Sequence, residues 1–154
     1  MAYRGAFLII GIIGAIGVAC VPSTPFDPLA VRMKDANQVE VVYVPCEPVK
    51  VGGIEVIFSG DKVFDDSDQR VWRVEFASGQ EVKDFVLGRV PPGASETVRW
   101  QGLESGKTYV VAVLRQGGDR DYQDFSLSDL VQGRVRFQDR NMTMEQFEKR
   151  KSCN

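Results

Sequence analysis

The sequence predicts an all-β domain, a sandwich of seven strands with a short C-terminal helix. From residue 39 onward, short runs rich in β-branched and aromatic residues are separated by clusters of Gly, Asp, Ser and Pro, which is typical of all-β domains. The clearest run is 70–77, where Trp72, Val74 and Phe76 alternate with charged residues. This alternation puts three large apolar side chains on one face, so we expect this strand to be central.

The other predicted strands follow from the same pattern. Pro45 ends the first of them, and Gly52-Gly53 indicates a bulge or a tight hairpin within the second. The seven predicted strands cover residues 39–44, 49–58, 70–77, 81–87, 96–100, 108–114 and 131–137.

A short helix is predicted at residues 141–151. Thr143 followed by Gln146 fits a capping box, and the basic residues of the last turn complement the helix dipole. Met144 and Phe147 lie three positions apart, so we expect them to dock on the sandwich.

The segment from Leu103 to Val113 carries a fold-specific motif, with an apolar residue, a glycine turn, a tyrosine and alternating valines. It resembles the E–F corner of the fibronectin type III family. The resemblance implies an immunoglobulin- or fibronectin-like sandwich in which Leu103, Gly106 and Tyr109 form a structural corner, the Tyr109 hydroxyl bonding to backbone a few residues upstream. An ordinary turn with a core tyrosine is the alternative.

The first twenty residues have the layout of an export signal. Arg4 precedes an apolar run from Ala6 to Ala19, and small residues lie just before Cys20. The segment Gly17-Val18-Ala19-Cys20 resembles the lipobox of bacterial lipoproteins, with Gly17 where that motif usually has Leu. The resemblance implies that residues 1–19 are removed and that Cys20 becomes the diacylated first residue. An uncleaved membrane anchor and simple secretion stay open, and all three place the rest of the chain outside the cytoplasm.

Residues 20–38 contain prolines, Ser and Thr without apolar periodicity, which predicts a tether before a sandwich domain at 39–154. The layout is also similar to that of small actinobacterial lipoproteins of unassigned function. The shared elements are Cys20, an early strand ending at Cys46, Val71-Trp72 and the closing run 131–137. This resemblance implies a lipid-anchored location on the outer face of the cell membrane and brings no activity with it.

Three cysteines form an even framework only if one of them has another purpose. If Cys20 carries lipid, Cys46 and Cys153 remain, and an extracytoplasmic domain favours a disulfide between them. Two free thiols are the alternative.

The composition argues against most catalytic chemistry. The chain has no histidine, which excludes Ser-His-Asp and Cys-His systems and most catalytic zinc sites. No phosphate-binding glycine loop is present, and a net charge of −2 gives no basic stripe for nucleic acid. We therefore expect a protein that is not an enzyme and that needs no cofactor or metal. The second hypothesis is a carboxylate-based hydrolase or carbohydrate-processing domain, which would need two acids facing a groove.

Two charged loops, 60–68 and 117–124, are the candidate recognition sites. If the strands follow immunoglobulin order, these loops are the B–C and F–G connections at one end of the sandwich, where recognition loops are common. Solvated loop tips and a weak calcium site are the alternatives. The residues expected to contact a protein or another envelope component are Phe64, Asp65, Asp66, Asp68, Asp119, Arg120, Asp121 and Tyr122.

Overall fold

The computed structural model describes residues 27–59 and 68–150, which form ten β-strands, a single 3₁₀ turn and one short α-helix. The strands are β1 (Leu29–Asp35), β2 (Gln38–Tyr43), β3 (Val51–Phe58), β4 (Arg70–Gln80), β5 (Phe85–Val86), β6 (Ala94–Val98), β7 (Thr108–Arg115), β8 (Arg120–Ser126), β9 (Val135–Phe137) and β10 (Arg140–Met142). The 3₁₀ turn is Leu127–Asp129 and the helix α1 is Met144–Lys149.

The strands form two antiparallel five-stranded sheets. Sheet A has the order β10-β9-β1-β2-β5, and sheet B has the order β6-β4-β3-β7-β8. An all-β sandwich with a short helix after the last strand was predicted, and the structure confirms that architecture.

The main core lies between the sheets. Trp72, Val74 and Phe76 of β4 all lie in it, and Trp72 is fully buried, as the alternation in β4 predicts. The Trp72 ring meets the edge of the half-buried Trp100 ring, with centroids 5.9 Å apart. Both tryptophans therefore contribute to packing between the sheets.

Strand β1 corrects the predicted tether at 20–38. Leu29, Val31 and Met33 face the main core, and Leu29 pairs with Tyr43 at the end of β2. The domain therefore begins before residue 39, and only the part of the predicted tether that precedes residue 27 lies outside the described residues.

The strand order differs from the immunoglobulin order on which the loop prediction rests. That order places the second and third predicted strands in different sheets, whereas β3 and β4 pair directly, with Val56 opposite Trp72. The count of seven is also wrong, because β1, β8 and β10 were not predicted as strands.

The predicted corner has the expected contact. The hydroxyl of Tyr109, which is buried, accepts a hydrogen bond from the backbone N–H of Glu104, five residues upstream, at 2.8 Å. Gly106 lies in the intervening turn with φ of 78°, a backbone conformation that favours glycine. Leu103 packs against the main core.

A second, smaller core lies on the outer face of sheet A, beneath α1. Fully buried Phe147 contacts the ring of Phe137 from β9, with centroids 5.4 Å apart, and Ala30 and Val42 complete the floor. The predicted capping box is present, because Gln146 N–H donates to Thr143 Oγ1 at 3.1 Å and Thr143 N–H donates to Gln146 Oε1 at 2.9 Å. The helix is shorter than predicted, since residues 140–142 form β10.

Candidate functional site

The strand ends that precede the two charged loops lie at opposite ends of β3, and residues 60–67 of the first loop lie outside the described residues. The first loop follows Phe58, which pairs with Tyr109, whereas the second follows Arg115, which pairs with Val51 at the other end of β3. Strand β3 has 8 residues, so these ends lie about 25 Å apart at about 3.3 Å per residue. The expectation of one joint loop surface is therefore wrong, because it assumed that β3 and β4 belong to different sheets.

The predicted contact residues consequently divide into separate groups. Phe64, Asp65 and Asp66 lie outside the described residues, and Asp68 lies just before β4, half-buried. The other four lie at the β7–β8 turn and in β8, namely Asp119, Arg120, Asp121 and Tyr122. Of the predicted set, only this second group can be assigned a place in a site.

Asp121 has a structural role rather than the predicted exposed one. Its side chain faces Tyr43 and Arg115, where the Tyr43 hydroxyl donates to Oδ2 at 2.8 Å and Arg115 Nε donates to the same oxygen at 2.7 Å. A second Arg115 nitrogen donates to Oδ1. Burial and the bond to Asp121 raise the pKa of Tyr43 above its ordinary value, so this tyrosine stays a neutral donor. The cluster joins β2 of sheet A to β7 and β8 of sheet B.

A cleft of about 580 Å³ runs along β8, and its lining includes five consecutive residues of this strand. We refer to it as the β8 cleft. Its lining residues are Asp27, Arg120, Asp121, Tyr122, Gln123, Asp124, Gln138 and Asp139. The exposed side chains of Tyr122 and Asp124 lie on its outer side, and Tyr122 retains 62% of its accessible surface. The cleft is therefore acidic with one large aromatic surface.

A buried glutamine holds the wall of the β8 cleft. Gln123 is 2% exposed; its Oε1 accepts from Gln138 N–H at 2.6 Å, and its Nε2 donates to Gln138 O at 3.2 Å. Gln138 has a φ of 51°, a left-handed conformation that is uncommon outside glycine. The two bonds hold this strained turn between β9 and β10 against β8, which fixes the position of Asp139.

Asp27 also lines the β8 cleft and lies two residues before the start of β1. Its Oδ1 accepts a hydrogen bond from Leu29 N–H at 3.2 Å. The pKa of Asp27 is raised to about 6, mainly by burial and to a smaller extent by the negative charge of Asp121, while the Leu29 bond and Arg150 act in the opposite direction. The charge in the cleft therefore changes in mildly acidic solution.

Strand β8 is an edge strand, since β7 is its single neighbour in the described sheet. Arg115 N–H donates to Asp119 O at 2.8 Å, and bonded pairs alternate along an antiparallel ladder. Asp121 and Gln123 therefore direct their backbone groups at β7, and Tyr122 and Asp124 direct theirs at the open edge. The Asp124 carbonyl accepts from Gln123 Nε2 at 2.6 Å. This leaves the N–H and C=O of Tyr122 and the N–H of Asp124 facing the cleft.

The outer face of sheet B contains a buried ionic cluster. Glu55 of β3 is 0% exposed, and its Oε2 accepts from Arg70 Nε at 2.9 Å and from Arg73 at 3.3 Å. Arg120 Nη1 lies 4.0 Å from the other carboxylate oxygen. Arg120 thus lies on the face of β8 away from the core, with its charge close to that of Glu55. It is therefore a weaker candidate for contact with a partner than the sequence predicts.

Cys46 lies in the β2–β3 loop and is disulfide-bonded. It is the single cysteine among the described residues, so the predicted pairing with Cys153 names a residue outside them and stays a prediction. Cys46 lines a surface cleft together with Met144 and Glu148 of α1, so the end of the helix lies near this loop.

Sequence signals for part of the β8 cleft were present but were assigned to other structures. Asp27 falls in the predicted tether, because residues 20–38 contain prolines and lack apolar periodicity. Asp121 and Gln123 fall in the charged run 117–124, which predicts a loop, whereas the structure has β8 from Arg120 onward. Nothing in the sequence pairs Gln123 with Gln138, since that contact depends on the register between distant strands.

Comparison of the chain with protein-family models, with characterised proteins and with solved structures finds no match. Within residues 27–59 and 68–150, no helix is long and apolar enough to cross a membrane. The same residues contain no group of three or more Cys, Asp or Glu side chains arranged to hold a metal ion.

Proposed function

We propose that the chain is a lipid-anchored envelope binding module that holds a partner protein in the β8 cleft. The observation that carries the proposal is the cleft itself, where an edge strand, an exposed aromatic side chain and several carboxylates lie side by side. Concave sites with a few convergent polar groups are the usual places for recognition. No nucleic acid is expected as partner, because the cleft is acidic.

The location is supported by the N-terminal pattern and by Cys46. Disulfides persist in oxidising compartments outside the cytoplasm, and Cys46 is disulfide-bonded. We assign its partner as Cys153, because α1 ends close to the Cys46 loop and Cys153 follows Arg150 by three positions. Cys20 is then left for the lipid.

Lipid attachment at Cys20 would keep the β8 cleft near the membrane. Cys20 precedes Asp27 by seven positions, and seven extended residues reach at most about 25 Å. The partner is therefore expected to be a membrane protein, or a protein held at the membrane surface.

The anchor is tested by the mass and the location of the chain in a bacterial host. With lipidation, the membrane fraction contains residues 20–154 plus acyl chains, and Cys20→Ser removes the acyl mass and retains residues 1–19. A full-length mass without lipid in the unaltered chain would instead assign the N-terminus as an uncleaved anchor.

The binding site is tested by photo-crosslinking in the same host. A benzoylphenylalanine at position 122 should give a discrete crosslinked product that disappears when Asp124 and Asp139 are replaced by Lys. The matched control is position 131, because Val131 is also an exposed apolar residue, at 49%, outside the β8 cleft. Equal products from both positions, or none from position 122, would contradict the proposal.

The carboxylate hydrolase is the second candidate, favoured by one observation. Asp27 has a pKa of about 6 and lies near Asp121, and a carboxyl group with a raised pKa beside a second carboxyl group is what acid–base hydrolysis needs. Against it, both Asp121 oxygens already accept hydrogen bonds from Arg115 or Tyr43. Turnover of envelope glycans that is lost in Asp27→Asn would support the hydrolase, and equal activity of the two chains would exclude Asp27 as its acid.

A further inference from the structure

The strand edge inside the β8 cleft has a geometry that goes beyond a general binding surface. Along this edge the N–H and C=O of Tyr122 and the N–H of Asp124 point away from β7, as the Arg115–Asp119 bond and the β7–β8 register require. An open edge with free backbone groups is a template for another strand. The lining of the cleft includes five consecutive residues of β8, a length that matches an added strand of about five residues.

The charges of the residues that line the β8 cleft determine which side chains an added strand should carry. Asp27, Asp124 and Asp139 all line it, whereas the charge of Asp121 is compensated by Arg115. Arg120 is the one basic residue in the lining, and it lies 4.0 Å from Glu55. Asp139 pairs with Arg140, with 3.7 Å between Oδ1 and Nε, and both side chains are exposed. The carboxylates of the lining still outnumber its one basic residue, so the edge complements Lys or Arg side chains of a partner.

These carboxylates lie on both sides of the edge. Asp124 and Tyr122 lie on the outer side of β8, whereas Asp27 lies beside the inward-facing Asp121. Side chains of an added strand alternate between two faces, so basic residues on either face would find an acidic neighbour. Tyr122 offers its exposed ring to an apolar or basic side chain on the outer face.

We propose that β8 binds an extended, basic segment of a partner protein by strand addition, with the backbone groups of Tyr122 and Asp124 pairing with that segment. This inference rests on the proposed function and specifies its binding mode. The chain's own residues 21–26 are poor candidates for the same position, because Pro22 and Pro25 lack the N–H groups that a ladder needs.

The test uses the full chain, labelled with nitrogen-15 in detergent micelles, and two defined peptides. One peptide alternates Lys and Val over seven residues, and the other alternates Glu and Val. The basic peptide is expected to slow amide hydrogen exchange at Tyr122 and Asp124 by about tenfold, because both amides would donate to the added strand. A tenfold change corresponds to about 1.4 kcal/mol of added protection. The acidic peptide should leave both amides unchanged.

A pair of variants separates backbone pairing from side-chain contact. Tyr122→Pro removes the edge N–H without removing a bond to β7, whereas Tyr122→Ala keeps that N–H. The basic peptide should bind Tyr122→Pro about tenfold more weakly than Tyr122→Ala. The amide spectrum of each variant shows directly whether the sandwich is retained.

Each other result overturns the strand-addition model in a recognisable way. If the Tyr122 and Asp124 amides are protected before peptide is added, the edge is occupied by the chain itself. If the acidic peptide binds as well as the basic one, the charge argument is wrong. If the basic peptide shifts the Asp124 and Asp139 resonances but binds both variants equally, the cleft binds without strand pairing, and the proposed function survives alone. If neither peptide binds and position 122 gives no crosslink, both proposals fail.

Discussion

Asp27 lies where three parts of the chain meet, namely the start of β1, the start of β8 and the end of α1. Its carboxyl group accepts from Leu29 N–H and interacts electrostatically with Asp121 and Arg150. Because burial raises its pKa from 3.8 to about 6, the folded chain binds this proton more tightly than the unfolded chain does. The stability supplied by the protonated form is complete below about pH 4 and is lost as the pH rises through about 6.

Asp27→Asn should therefore stabilise the chain in neutral solution and leave it unchanged in acid. Discounted for the partial exposure of the carboxyl group, the gain at pH 7.5 is about 1 kcal/mol, or about 4 °C in melting temperature, and it should vanish near pH 4. The control is Asp35→Asn, because Asp35 makes the same kind of local bond, to Asn37 N–H at 3.0 Å, in an exposed turn. An equal effect of both substitutions at pH 7.5 would contradict the role of burial at Asp27.

Glu55 is expected to contribute more to stability than Glu75, an exposed carboxylate that shares the partner Arg73 with it. Glu55→Ala should lower the free energy of unfolding by about 3 kcal/mol, because it leaves Arg70 and Arg73 without their buried counter-charge. Glu75→Ala is the matched control, since Glu75 also binds Arg73, at 2.9 Å, but is 47% exposed, so its loss should cost under about 1 kcal/mol. Urea unfolding of both variants measures the difference, and similar losses would show that Glu55 is not a buried anchor.

At the scale of elements, α1 depends on one side chain. Phe147 is its single buried residue and fills the second core against Phe137. Phe147→Ala should cost about 3 kcal/mol through the cavity and the lost contacts, and should detach the helix. Glu148→Ala, an exposed change one position away, should be nearly neutral. Urea unfolding and the amide exchange of residues 144–149 check both expectations.

The strands that could be predicted from the sequence are those in which apolar residues alternate with polar ones, so that one face of the strand is apolar. β4 is the clear example, with Trp72, Val74 and Phe76 all in the main core. The capping box of α1 could also be predicted, because its two residues, Thr143 and Gln146, lie three positions apart in one segment. Local chemistry of this kind requires no knowledge of the tertiary fold.

The elements that were missed carry polar residues on their inward faces. β8 turns Asp121 and Gln123 inward, where Arg115 and Gln138 satisfy them, and such partners are invisible along the sequence. The pairing of β3 with β4 was missed for a related reason, because a resemblance over one corner does not determine strand order. The β8 cleft depends on both features, so it could not be located before the fold was known.

At the scale of the molecule, the disulfide of Cys46 is expected to be a large source of stability. Pairing with Cys153 closes a loop of roughly 100 residues, for which the chain-entropy model gives about 4 to 5 kcal/mol. Cys46→Ala and Cys153→Ala should each lower the free energy of unfolding by a similar amount, and a reducing agent should produce the same loss in the unaltered chain. Should Cys20→Ala produce that loss and Cys153→Ala none, the bridge joins Cys46 to Cys20 instead.

The order of strands in sheet A has a consequence for biosynthesis. β1 lies between β2 and β9, so one of the earliest strands to leave the ribosome pairs with one of the last. Sheet A and the second core beneath α1 therefore cannot be completed until residues 135–149 have been made. Sheet B, which spans residues 51–126, has all its strands earlier, so the two sheets can close on each other fully only when synthesis of the described chain is almost finished.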